Sequence, residues 1–173
     1  MGKDINVKNI EEAVKSLNHY AERDRGHFDV RFRNVHLCTL NETAERTIFR
    51  KNDLYVDAST LYELMMPIGG RGSHHYHGLK PTQIIQTLSN LKKADCIIHS
   101  EKERILLGVY LETGIDKCMV VIIDPEATVK TDFQAKVCKL ITMYEYSEFS
   151  KHLKNIPKEY IILLRYPIKK GDT

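Results

Sequence analysis

The segment GSHHYHGLKPTQII, residues 72–85, places His74, His75 and His77, three of the chain's eight histidines, within four positions. Imidazole is the side chain that both gives and accepts a proton near neutral pH, so such a cluster has three readings. As a metal site it has His74 and His77 three apart, a spacing that shares one helix face. The glycines at 69, 70, 72 and 78 spell a loop instead, and no acidic residue stands between Glu63 and Asp95 to complete a catalytic zinc site. As plain loop residues they are three solvated imidazoles. As catalysts, with Arg71 and Lys80 beside them, they match the needs of RNA cleavage. There the 2′-hydroxyl next to the scissile phosphate is the nucleophile. An enzyme adds a base for that hydroxyl, an acid for the leaving oxygen and cations for the phosphorane charge, and no metal is obligatory.

Partners for the histidines have to come from elsewhere in the chain. In KLITMYEYS, residues 139–147, strict alternation puts Leu140, Thr142, Tyr144 and Tyr146 on one face and Ile141, Met143 and Glu145 on the other. Hydroxyls at 142 and 144 suit hydrogen bonds to a phosphate, or a base lying on a tyrosine ring. An amphipathic strand with a polar outer face has the same pattern, and the alternation alone does not separate the two.

These residues sit among elements with recognisable punctuation. Ile10, Ala13, Val14, Leu17 and Ala21 form an apolar stripe, with Asn9 as cap and Glu12 three positions on, which predicts a helix over 9–22. β-Branched and aromatic residues predict strands near 28–39 and 46–56. DASTLYELMM reads as a helix, with Thr60 and Glu63 in capping-box spacing, and Pro81 opens another with Ile84, Ile85, Leu88 and Leu91 toward the core. From residue 95 the pattern changes to four short apolar or alternating runs, DCIIHS, RILLGVYLE, KCMVVIID and CKLITMYEY. Their connections are too tight for crossover helices, which predicts an antiparallel meander. A last helix over 147–155 leads to a closing strand in YIILLRY. Helices first and a sheet afterwards is an α+β signature: N-terminal helices on one face of a four- to five-stranded antiparallel sheet. The natural division is an N-terminal helix and strand extension, residues 1–53, and an α+β domain, residues 54–173.

At 173 residues with 42% apolar and 28% charged side chains, the chain can bury a core of its own and is neither fibrous nor disordered in composition. No apolar run reaches the length of a membrane span, and MGKDINVKNIEE is too polar for a secretion signal and lacks the hydroxyl residue of a myristoylation site. The expectation is a cytoplasmic protein with no membrane partner. Cys38, Cys96, Cys118 and Cys138 lie in apolar contexts without a CxxC pair, which reads as buried thiols in a reducing compartment. The last segment carries Lys151, Lys154, Lys158, Arg165, Lys169 and Lys170 against Glu159 and Asp172, a basic tail suited to a phosphate-rich partner.

The ordered layout LYVDASTLYELM, HHYHGLKPTQIIQTLSNLKKAD, RILLGVYLETGIDKCMVVIIDPE and CKLITMYEY, over about residues 54–150, resembles the phage-associated nucleases of the barnase, EndoU, colicin and RelE superfamily, abbreviated PBECR. Related domains end phage head-morphogenesis proteins. The resemblance implies a compact barnase/RelE-like α+β fold and a metal-independent endoribonuclease of toxin or phage type, without a cofactor. It carries a catalytic histidine onto His77 and its complement onto His74, and the hydroxyl position of the later strand onto Thr142, with Tyr144 beside it. Arg71, Lys80 and, least of the three, His75 fall on the substrate side. Tyr76 stands where the family tends to have a basic residue, and LKKAD replaces its proline-containing segment. RNA is the implied partner, together with an immunity or antitoxin protein. Two alternatives stay open: an inactive RNA- or protein-binding module on the same fold, and a histidine-bound metalloprotein.

Overall fold

A computed structural model of the chain describes residues 11–12, 35–39, 53–66, 68, 76–99, 103–112, 115–128 and 136–164. Its strands are β1 (Val35–Thr39), β2 (Asp53–Val56), β3 (Cys96–His99), β4 (Ile105–Val109), β5 (Lys117–Thr128), β6 (Lys136–Ser147) and β7 (Ile161–Leu164), with helices α1 (Ala58–Met65), α2 (Pro81–Asn90) and α3 (Phe149–Lys154). Glu11 and Glu12 are helical, and the rest of the helix expected over 9–22 lies outside the described residues. Among those residues no helix is long and apolar enough to cross a membrane.

The α+β class holds, but the sheet is larger than expected and mixed. Among the described residues, seven strands run in the order β1-β2-β6-β5-β4-β3-β7. The centre is the antiparallel meander β3 to β6, as the tight connections require. β2, however, joins β6 in parallel through Leu54↔Cys138 and Tyr55↔Lys139, with β1 antiparallel outside it and β7 antiparallel on β3. A short turn dictates direction only between consecutive strands. α1, α2 and three strands separate β2 from β6, so local spacing says nothing about that pairing.

A second correction concerns layers. α1 and α2 cover one face, where Leu61, Leu64, Ile84 and Leu88 meet Val121, Ile123, Leu140 and Met143 in one fully buried cluster. The other face is not bare: Phe149 and Leu153 of α3 pack on Cys96, Cys118 and Val120. Residues 118–121 of β5 are buried without interruption, the mark of a strand covered on both faces rather than one. Gly108, on neighbouring β4, makes room for this packing. A Cβ there would stand 3.1 Å from Cys118 Sγ, 3.1 Å from Cys96 Cβ and 3.3 Å from Phe149 Cε1.

A third correction concerns β6. Ile122 pairs with Thr142 but Ile123 with Leu140, so Ile141 is an extra residue, a bulge that resets the alternation. Leu140 therefore joins Met143 on the α1/α2 face, while Thr142, Tyr144 and Tyr146 share the α3 face. α1 also starts earlier than its capping-box spacing suggests. Asp57 is the N-cap, its carboxylate paired with Lys139 of β6, and Thr60 and Glu63 are interior. α2 begins at Pro81 as expected, where the missing amide hydrogen costs nothing, and the Lys80 N–H donates to Gln83 Oε1 at 2.9 Å. Ile84, Leu88 and Leu91 are buried, and Ile85 only partly.

Candidate functional site

β2 pairs with only two residues of β6, Cys138 and Lys139. The rest of β6, from the bulge to Ser147, runs on without a strand partner on that side among the described residues, and there the short segment 76–79 before α2 comes alongside, through His77. Three backbone N–H groups of that segment are tied to carbonyls in and just after the last turn of α1. His77 donates to Glu63 O at 3.3 Å, Gly78 to Met66 O at 2.7 Å and Leu79 to Leu64 O at 2.8 Å. The end of a helix leaves such carbonyls without intrahelical donors, so satisfying them anchors the segment. Gly78 adopts φ +63°, a left-handed conformation that side chains with a Cβ rarely take. Leu79 then enters the core at 5% exposure, and His77 is left at the sheet edge.

His77 Nε2 and Thr142 Oγ1 lie 3.0 Å apart in a part-buried hydrogen bond, and which of them donates follows from the imidazole tautomer. The His77 ring lies 5.6 Å from the Tyr144 ring, centroid to centroid, at 31°. Burial holds the Tyr144 phenol above its ordinary pKa of 10.0, with smaller contributions from Tyr146 and Cys118, so it remains a hydrogen-bond donor through neutral pH. The residues thus assembled are an acid/base group, an alcohol and a protonated phenol, on one side of one strand.

Of the residues singled out in the sequence, the fold brings together His77, Thr142 and Tyr144. Lys80 is exposed three residues beyond His77, at the start of α2. Arg71, His74 and His75 lie outside the described residues. Tyr76 turns toward α1 and meets Tyr62 edge-on, with centroids 6.5 Å apart. Among the described residues no three His, Cys, Asp or Glu side chains gather as a metal site. Cys96 and Cys118 are free and buried, and Cys138 is buried as well.

The sequence reading missed His152. It sits on α3 with its ring 5.0 Å from that of Tyr146, and Tyr146 is in turn 6.3 Å from Tyr144. Nothing in SKHLK, read alone, marks that histidine, because its neighbourhood is created by α3 folding back over the strand it follows. Comparison with protein-family models, with curated proteins and with solved structures returned no match.

Proposed function

We propose that this chain is an endoribonuclease-like domain of phage or toxin type that cleaves RNA without a metal ion. The observation that carries this reading is the His77–Thr142 hydrogen bond at 3.0 Å beside the Tyr144 ring. His77 is the principal general acid or base and His74 its complement. In the reaction the 2′-hydroxyl proton passes to the base, the 2′-oxygen bonds to phosphorus, the P–O5′ bond breaks, and the acid protonates O5′. The products are a 2′,3′-cyclic phosphate and a 5′-hydroxyl. Thr142 orients the imidazole, and the Tyr144 phenol donates toward a phosphate oxygen, a stabilisation that strengthens as charge accumulates there. Arg71 and Lys80 supply cations, and His75 lies at the margin of the substrate.

The layout resembling the PBECR nucleases supports the same reading. We liken the antiparallel run β6-β5-β4-β3 to the smaller sheet of barnase/RelE-like domains, with β1, β2 and β7 as additions. An RNA substrate and an immunity or antitoxin protein belong to this proposal. The test is incubation with single-stranded RNA in EDTA, with the termini analysed for cyclic phosphate. Cleavage is expected, with His77→Ala at least about 100-fold slower. A wild-type protein that cuts nothing, or a His77→Ala variant that cuts equally well, overturns the assignment. Salt-sensitive RNA binding without turnover would instead identify an inactive binding module.

A further inference from the structure

The α3 face of β6 continues past Thr142 as a row of rings. From His77 the centroids step 5.6 Å to Tyr144 at 31°, 6.3 Å to Tyr146 at 49°, and 5.0 Å to His152 at 34°. All four side chains are partly exposed. Phe149 beneath them is fully buried and meets Tyr146 and Tyr110 edge-on, at 71° and 68°. Edge-on contact is how aromatic rings fill a core, and buried Phe149 and Leu153 already fasten α3 to the sheet. Tyr144 and Tyr146 also pack against this cluster, and the His152 ring lies 5.9 Å from that of Phe149 at 37°, so the row rests on the core on one side and is partly exposed on the other. Lys154 and Lys158 follow His152 in the chain and Lys80 follows His77, and all three are exposed.

Partly exposed aromatic rings and lysines close to them in the chain are the two components of a single-strand nucleic-acid platform. Any base can lie on a ring, and the lysines meet the phosphates. A duplex offers no free base faces and does not fit. We infer that Tyr146 and His152 form a base-stacking subsite for single-stranded RNA running from the His77–Thr142 pair toward α3. The choice of RNA as ligand rests on the endoribonuclease reading; the subsite itself rests on the ring row and its cations.

The experiment is fluorescence anisotropy of the full chain with a labelled 2′-O-methyl hexanucleotide, whose blocked 2′-oxygen cannot attack and which therefore reports binding alone. Tyr146→Leu and His152→Ala are each expected to weaken binding roughly tenfold, and Tyr146→Phe, which keeps the ring, to retain it. Duplex RNA of the same length is expected to bind more weakly and to be insensitive to both losses. If the wild type does not bind the hexanucleotide, the subsite is overturned. Unchanged binding by a Tyr146→Leu protein with wild-type circular dichroism overturns it too. Should Tyr146→Leu fail to fold, His152→Ala, on a half-buried helix position, decides in its place. Cleavage of unmodified RNA is measured in parallel. Cleavage with Tyr146-independent binding removes only the subsite, whereas Tyr146-dependent binding without cleavage removes the nuclease reading and keeps the subsite.

Discussion

His77 Nε2 and Thr142 Oγ1 are held 3.0 Å apart although 65 residues separate them in the chain. The hydrogen bond limits rotation of the imidazole and sets which nitrogen faces the strand. Thr142→Val keeps the shape and removes the hydroxyl. We expect a loss of about 1 kcal/mol in urea unfolding and a drop of roughly tenfold or more in RNA cleavage, with Thr142→Ser recovering most of both. Equal cleavage by the valine variant would show that the alcohol does not position the histidine.

Gly78 gives a separate handle on the same geometry. Its φ of +63° lets Leu79 turn into the core directly after His77, and a Cβ there has room, with Ile68 atoms no nearer than 3.5 Å. The cost of Gly78→Ala is therefore conformational, about 1–2 kcal/mol. Thermal unfolding should show that loss. Cleavage should fall further than stability alone explains, since the backbone donors at 77 to 79 shift together. Wild-type stability in Gly78→Ala would mean that the segment adopts another turn.

Tyr144 makes a prediction at alkaline pH. Burial, and secondarily Tyr146 and Cys118, raise its folded pKa above 10.0. In the unfolded chain the phenol ionises near its ordinary value, so at higher pH the unfolded state holds fewer protons than the folded one. The stabilising difference is complete below about pH 10 and is lost as pH rises through the folded pKa. Urea unfolding of wild type and Tyr144→Phe should give stabilities whose difference is flat at neutral pH and moves in favour of Phe above pH 10. A constant difference would contradict the buried phenol.

Gly108 should tolerate no side chain. Gly108→Ala sets a methyl 3.1 Å from both Cys118 Sγ and Cys96 Cβ and 3.3 Å from Phe149, between two central strands and α3. A destabilisation of about 1–3 kcal/mol is expected, and adding Cys118→Ala should recover part of it. Strict additivity of the two substitutions would mean that they do not share this space.

Cys96 and Cys118 should be chemically silent. Burial, with a smaller contribution from Asp95, pushes the Cys96 thiol up to about 12, and burial raises Cys118 as well. Because the thiolate is the reactive form, an aromatic disulfide reagent should label neither in native protein at pH 8 and both after denaturation. Rapid native labelling at either position would show that the α3 face opens.

Most of the elements were legible in the sequence because their signals are local. Pro81 marks a helix start, the stripe Ile84, Leu88 and Leu91 its buried side, and the closely spaced runs after residue 95 an antiparallel meander. His77 and Thr142 could be singled out as chemical types, an imidazole in a glycine-rich turn and a hydroxyl on a β-strand. Their meeting could not, because no periodicity spans the residues between them. The same limit explains the parallel β2–β6 pairing and the packing of α3 on the second face, both contacts between distant segments. At Ile141 even a local rule failed. Alternation assumes one residue per pleat, and only the register against β5 reveals the extra one. Residue type and local spacing determined the parts and which of them could do chemistry; the tertiary structure decided that His77, tied back to α1, meets Thr142 and Tyr144 of β6, and the return of α3 set His152 beside Tyr146.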